Sequence, residues 1–160
     1  MEPMEIAGHT VLCDVAATHE YRSVYNDPCA CEDCAYFRHA FPGQYPAAAA
    51  ALERLGLDVF RPLECTCLGT DENGRLLYQL TYGVRGTLPA DPLEGEWCGL
   101  RTRLYREEPS ANHDMPEPWF FLEFDFTLPR PEGWTEDGGL SEKSIAAQLA
   151  DWLKSLLHGG

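Results

Sequence analysis

The chain has 160 residues, of which 26 are acidic and 12 are Lys or Arg, so its formal net charge is −14. Such a charge excludes nonspecific nucleic-acid binding and electrostatic docking to an anionic membrane, because the chain cannot neutralise phosphates and release their counterions. The same charge favours a basic protein partner. The length and the 44% apolar content predict a single folded domain over residues 1–160.

The N-terminal residues lack the basic and apolar regions of a signal peptide, and no run of about 18 apolar residues occurs. The seven cysteines are an odd number, and disulfide frameworks are typical of shorter secreted chains. We therefore expect a cytoplasmic protein whose cysteines are free thiols or thiolate ligands.

The first quarter of the chain predicts two strands followed by a turn. Residues 6–15 and 18–25 are rich in β-branched and aromatic types and are separated by Ala16 and Ala17. Residues 26–28, Asn-Asp-Pro, are a turn signal that leads directly into a group of cysteines.

Two short helices are predicted after these cysteines. The first covers residues 32–40 and ends where Pro42 and Gly43 follow. The second covers residues 46–55, with Pro46 in its first turn and Gly56 placed to end it.

Beyond Pro62 the apolar residues alternate with a period of two, which predicts strands. Residues 63–69 and 75–84 flank an Asn-Gly pair and are expected to form an antiparallel hairpin. Residues 86–96 contain two prolines and two glycines and are predicted to be a loop. Strands are predicted over residues 97–105 and 119–128.

The last element is an amphipathic helix over residues 141–157, whose apolar side chains recur at helical spacing. Strands grouped consecutively along the chain are typical of antiparallel sheets. The sequence therefore predicts an α+β fold, with an antiparallel sheet, short helices after the cysteine motif and one C-terminal amphipathic helix.

Five cysteines form the motif that is most informative about function. Cys29, Cys31 and Cys34 lie within six residues, in a C-x-C followed by a C-x-x-C. Cys65 and Cys67 alternate along a predicted strand, so their side chains share one face. Thiolates are the ligands that structural Zn²⁺ sites prefer, and four sulfurs suffice for a tetrahedral site. We predict that Cys29, Cys31 and Cys34 converge with Cys65 or Cys67 around a Zn²⁺ ion.

Other interpretations of the same residues stay open. The thiols are also consistent with an unmetallated cluster, and His39 is placed to replace one cysteine as a ligand. A redox dithiol is disfavoured because Glu32 and Asp33 separate Cys31 from Cys34, and nearby carboxylates raise the pKa of a thiol.

Two acidic residues and the two remaining cysteines lie outside this motif. Glu123 and Asp125 share one face of a predicted strand, which is compatible with paired-carboxylate chemistry but also with a solvent-facing strand. Cys13 and Cys98 lie in strand patterns away from other cysteines, and we expect both to be small buried residues.

The cysteine motif and the residues that follow it also resemble a known group of proteins. The C-x-C-x-x-C group is followed by Leu-x-x-Leu-Gly-Leu-Asp at residues 52–58, Pro-x-Glu at 62–64 and Tyr-x-x-x-Tyr-x-Val-x-Gly at 78–86. This order resembles a group of small bacterial proteins, mostly from Firmicutes, that have no assigned activity. The resemblance covers about residues 20–90 of this chain and implies that the cysteines act together, without implying a substrate.

The sequence therefore favours a non-enzymatic cytoplasmic protein that acts as a protein-interaction module, with a cysteine cluster that binds structural Zn²⁺. Common hydrolase, nucleotide-binding and metalloprotease motifs are missing from the chain. The alternative is a metal-dependent or thiol-redox enzyme. The number of protein ligands separates the two metal roles, since a structural site has four and a catalytic site has three plus water.

Overall fold

The structure, a computed structural model, describes residues 1–24, 29–106 and 114–135, together with residues 150 and 154. These residues form seven strands: β1 (Glu2–Ile6), β2 (His9–Cys13), β3 (Glu64–Thr70), β4 (Leu76–Thr87), β5 (Leu93–Trp97), β6 (Leu100–Tyr105) and β7 (Trp119–Leu128). They also form three helices: α1 (Val15–Val24), α2 (Glu32–Gln44) and α3 (Pro46–Arg54).

All strand pairs are antiparallel, and the strand order is β1-β2-β4-β7-β6-β5. The central strand β4 pairs with β7 over ten residues. On its other edge β4 pairs with β3 through residues 76–81 and with β2 through residues 86 and 87. The predicted α+β class, antiparallel sheet and helices after the cysteine motif are confirmed. The C-terminal helix predicted over residues 141–157 lies outside the described residues, apart from 150 and 154.

The beginning of the fold differs from the prediction. A hairpin turns at Ala7 and Gly8, which both have positive φ, and the predicted second strand is the helix α1. The helix forms because Asp14 caps it: the Asp14 carboxylate accepts the backbone N–H of Ala17 at 2.9 Å. The β-branched and aromatic residues there had suggested a strand, but a capping aspartate outweighs these weak propensities.

The two helices after the cysteines are close to their predicted positions. Helix α2 continues through Pro42 to Gln44, four residues beyond the predicted end, because Phe41 is fully buried and anchors its last turn. Helix α3 ends at Arg54, one residue before the predicted end, and Gly56 follows it as predicted with a φ of +82°. The N–H groups of Gly56 and Leu57 donate to the carbonyls of Glu53 and Leu52, which closes the helix with a Schellman motif.

The predicted β3–β4 hairpin and the strand β7 are confirmed, whereas the predicted loop over residues 86–96 is partly wrong. Strand β4 extends to Thr87, and β5 begins at Leu93 and pairs with β6. The connection between β5 and β6 is a two-residue turn in which Cys98 and Gly99 have positive φ. Cys98 is consequently exposed rather than buried, whereas Cys13 is buried as expected.

Helices α2 and α3 cover one face of the sheet, which we call the covered face, and the main hydrophobic core lies between these helices and that face. The aromatic side chains of this core include Phe37 and Phe41 from α2 and Tyr78, Tyr82, Phe124 and Phe126 from the sheet. The ring of Phe41 lies 4.8 Å from that of Phe126 and 6.0 Å from that of Phe124, measured between ring centroids. This packing fixes α2 on the sheet and thereby positions the cysteines at its start.

Candidate metal centre

Three of the predicted ligands lie together at the start of α2. The sulfur atoms of Cys29, Cys31 and Cys34 all lie within 4.8 Å of one another. Among the described residues, this is the one group of three or more metal-ligating side chains that approach so closely. Cys29 and Cys31 are exposed and Cys34 is buried, so the cluster spans from the solvent to the core.

The spacing of the motif explains why the thiols converge. Cys31 caps α2 in an extended conformation, and its carbonyl accepts the N–H of Ala35 at 2.9 Å. Cys34 lies in the first helical turn, where residues three apart are neighbours on the helix surface. One turn therefore brings the two sulfurs of the C-x-x-C to the same end of the helix, beside Cys29.

The sheet holds this end of α2 in place. The hydroxyl of Tyr78 on β4 donates to the carbonyl of Asp33 at 3.0 Å. At the far end of the helix, the hydroxyl of Tyr45 donates to the carbonyl of Thr127 at 2.7 Å. Helix α2 is therefore fixed by these two hydrogen bonds and by the buried side chains of Phe37 and Phe41, which place Cys34 next to strand β3.

Cys65 and Cys67 share one face of β3, as predicted, but their neighbours differ. Both are half-buried against the core, whereas Thr66 between them is exposed. The sulfur of Cys34 lies 4.0 Å from the carbonyl oxygen of Cys65. Cys67 lies two residue pairs closer to the hairpin turn, opposite Tyr78, and interacts with the Tyr78 hydroxyl.

The structure thus brings Cys29, Cys31 and Cys34 together and places Cys65 beside Cys34. Neither Cys65 nor Cys67 belongs to the group whose sulfurs are all within 4.8 Å of one another. His39, the alternative ligand, is exposed on α2 and is not part of that group either.

The three thiols of the cluster differ in pKa. The backbone N–H and the thiol of Cys31 lower the pKa of Cys29. Burial raises the pKa of Cys31 to about 11. The neighbouring Cys65 side chain, followed by burial, raises the pKa of Cys34. The sequence analysis predicts that Glu32 and Asp33 raise the pKa of these thiols, but burial and the adjacent thiols are the main causes.

A cluster with this geometry could hold a metal ion. Zn–S bonds of about 2.3 Å in a tetrahedral site separate the sulfurs by about 3.8 Å. Three sulfurs within 4.8 Å of one another need to move by about 1 Å or less to meet that requirement. A divalent cation would also replace the protons that Cys31 and Cys34 otherwise retain.

Sequence reasoning missed a second cluster, on the sheet face opposite helices α2 and α3. Asp125 pairs with Arg101, which pairs with Glu96, and Glu123 pairs with Arg103, which pairs with Glu94. We call these six residues the charged face. The Arg-Thr-Arg of β6 and the Glu-Phe-Asp of β7 signal such a face, but only the strand register places each arginine between two acids.

The two carboxylates of β7 are therefore not an isolated acid–base pair. Glu123 accepts a hydrogen bond from the hydroxyl of Tyr105 at 2.9 Å, and Asp125 accepts one from the amide of Gln79 at 3.1 Å. Burial, followed by the bond to Glu123, raises the pKa of Tyr105, so this hydroxyl remains a donor. Glu123 and Asp125 belong to a polar network that crosses four strands.

No protein-family model, curated protein or solved structure matches this chain. Within the described part of the chain, no helix has both the length and the apolar character needed to cross a membrane.

Proposed function

We propose that this protein binds Zn²⁺ through the thiolates of Cys29, Cys31, Cys34 and Cys65, and that the ion is structural. The proposal further assigns the protein to the cytoplasm, where it acts as an interaction module for a basic protein partner. The observation that carries it is the convergence of three sulfurs within 4.8 Å, with Cys65 beside the buried one.

The donor set supports Zn²⁺ over harder cations. Thiolates are soft ligands that suit Zn²⁺, whereas Mg²⁺ and Ca²⁺ prefer oxygen ligands. The acidic neighbours Glu32 and Asp33 are compatible with the ion because a bound divalent cation compensates their charge.

Cys65 supports a structural rather than a catalytic role. It supplies a fourth protein ligand from a different element, so the ion would link the start of α2 to β3 across 31 residues of chain. A structural Zn²⁺ contributes on the order of 10 kcal/mol of apparent binding free energy to folding. The metal would therefore act as a cross-link between helix and sheet, with no position left for water.

The first test is the metal content of protein purified under reducing conditions without added metal. We expect about one equivalent of zinc per chain, and chelation should lower the melting temperature reversibly. A transition-metal content below about 0.2 equivalents, with no zinc bound on addition, would contradict the proposal.

The hairpin offers a matched pair of variants for the fourth ligand. Cys65→Ser and Cys67→Ser remove one half-buried thiol each from the same face of β3. We expect Cys65→Ser to weaken zinc binding by at least about 100-fold and Cys67→Ser by less than about threefold. Equal effects would refute Cys65 as the fourth ligand. Full zinc binding by Cys65→Ser would instead favour three ligands plus water, and so a metal-dependent enzyme.

A thiol-redox enzyme is the second candidate, favoured by the exposed Cys29 thiol with its lowered pKa. In that role the Cys29 thiolate would attack a substrate disulfide and release one thiolate. A neighbouring cysteine would then attack the mixed disulfide, release the second thiolate and leave a disulfide within the protein, which an external thiol would reduce. We expect slow reaction of the zinc-loaded protein with an aromatic disulfide, because zinc occupies the same sulfur. Rapid reduction of about one equivalent of that disulfide in the presence of zinc, abolished in Cys29→Ser, would favour the redox role.

A further inference from the structure

The charged face consists of two rows of side chains that run across the strands. In each row one arginine of β6 lies between a carboxylate of β5 and a carboxylate of β7. The six residues comprise four carboxylates and two guanidinium groups, so the face has a formal charge of −2. Although the charges alternate along each row, carboxylates outnumber guanidinium groups, so the face presents an excess of hydrogen-bond acceptors to a ligand.

The polar side chains around these rows hold the acceptors in place. Tyr105 fixes Glu123 by its hydrogen bond, and its ring lies 4.6 Å from the guanidinium carbon of Arg103. Gln79 fixes Asp125 in the same manner. Carboxylates held by neighbours lose little side-chain entropy when they bind a partner.

The arginines do not neutralise this face completely. The nitrogen of Arg103 lies 4.0 Å from the nearest oxygen of Glu94, at the limit of a salt bridge. Within residues 1–24, 29–106 and 114–135, Arg101 forms no salt bridge, although Glu96 and Asp125 flank it in the register. With four carboxylates and two arginines, the face keeps an excess of two formal negative charges, which favours an external cation.

The face also contains a groove of about 220 Å³, whose charged lining residues are Glu94, Arg101, Arg103, Glu123 and Asp125. Sites for drug-sized molecules and cofactors are roughly 300–1,000 Å³ and mostly apolar. This groove is smaller, polar and carries one net negative charge. It is therefore suited to the cationic end of a side chain.

We propose that the charged face docks a basic segment of a protein partner, and that the groove binds one arginine or lysine side chain against the carboxylates of Glu94, Glu123 and Asp125. The inference rests on the proposed interaction role and names its surface, but it does not require the metal. The overall charge of −14 would accelerate the encounter with such a segment, and the groove would provide the specific contact.

The test uses the full-length protein and a fluorescent nonapeptide of alternating arginine and glycine, with binding followed by anisotropy. The double variant Glu123→Gln/Asp125→Asn should bind the peptide about tenfold more weakly, the sum of two half-exposed charge contacts. The matched control Glu53→Gln/Glu72→Gln makes the same charge change at exposed sites on α3 and in the β3–β4 turn, and should change binding less than twofold.

Two further variants keep the result interpretable. Glu94→Gln/Glu96→Gln removes the exposed acids of β5 without touching the Tyr105 bond, and should also weaken binding several-fold. Arg101→Gln removes the competing cation and should tighten binding about threefold. A peptide of alternating glutamate and glycine should not bind, and melting curves should show that every variant is folded.

The outcomes separate the two proposals. Equal weakening in the groove variants and the control would overturn the groove as the docking site, but would leave a general interaction with basic partners. No binding by the wild-type protein would overturn the interaction role, whatever the zinc content. Self-association that depends on Glu123 and Asp125, measured by sedimentation, would overturn the basic partner in favour of a second copy of this chain.

Discussion

The covered face and the charged face are built from the same strands, yet different physical effects stabilise them. On β7, Phe124 and Phe126 point to α2 and α3 and are almost fully buried, whereas Glu123 and Asp125, which alternate with them, point to the charged face. The covered face contributes stability by removing apolar area from water. The charged face consists of partly exposed charged side chains, whose interactions with one another contribute little to folding. One strand can thus supply a core and an interaction surface through alternate residues.

The largest expected effect is on the covered face. Phe41→Ala removes a fully buried ring that contacts Phe37, Phe124 and Phe126. We expect a loss of about 3–5 kcal/mol in the free energy of unfolding, measured by urea denaturation. Phe60→Ala is the control, because Phe60 is 45% exposed and its loss should cost far less. Similar losses in both variants would show that α2 does not pack as described.

A rise in pH should destabilise the buried side of the fold. Burial, followed by the charge of Glu2, raises the pKa of Cys13 from 9.0 to about 12. The unfolded chain therefore loses this proton first, and the free energy of unfolding should fall between pH 9 and about 12. Each pKa unit corresponds to about 1.4 kcal/mol, so the decrease approaches a few kcal/mol.

The Cys13→Ala variant isolates this contribution from the other groups that titrate in alkali. The difference in stability between the wild type and Cys13→Ala should shrink as the pH rises above 9. A difference that stays constant from pH 8 to pH 12 would contradict the burial of this thiol.

A smaller effect is expected where the covered face contains a polar atom. The hydroxyl of Tyr82 donates to the carbonyl of Val59 at 2.6 Å in the buried core. Tyr82→Phe leaves that carbonyl without its donor and should cost about 1–2 kcal/mol in thermal or urea denaturation. A neutral or stabilising Tyr82→Phe would mean that Val59 finds another donor, and the bond would not anchor the segment after α3.

The smallest effect on stability is expected on the charged face. Arg103 and Glu94 are a half-exposed pair at 4.0 Å, so Glu94→Gln should change the free energy of unfolding by less than about 0.5 kcal/mol. The same change is expected to weaken binding of the arginine peptide. A large loss of stability with no loss of binding would reverse the roles that we assign to the two faces.

Local sequence patterns predicted much of the sheet correctly. They failed where nonlocal packing or a helix cap determined the secondary structure. The alternation in β7 and the Asn-Gly turn of the β3–β4 hairpin predicted those elements, because period and turn chemistry are local. Strand propensity misassigned α1, where Asp14 provides the cap. The sequence did not predict the β5–β6 turn, because Cys98 adopts a positive φ that is rare for cysteine.

The sequence by itself determined the cluster of Cys29, Cys31 and Cys34, because six residues at the start of a helix leave their sulfurs little freedom to separate. It also determined that Cys65 and Cys67 share a face of β3. Only the tertiary structure decided that Cys65 lies beside Cys34, and that each arginine of β6 lies between two acids. Both depend on how α2 and the strands align across long stretches of chain, which is set by packing and register rather than by spacing.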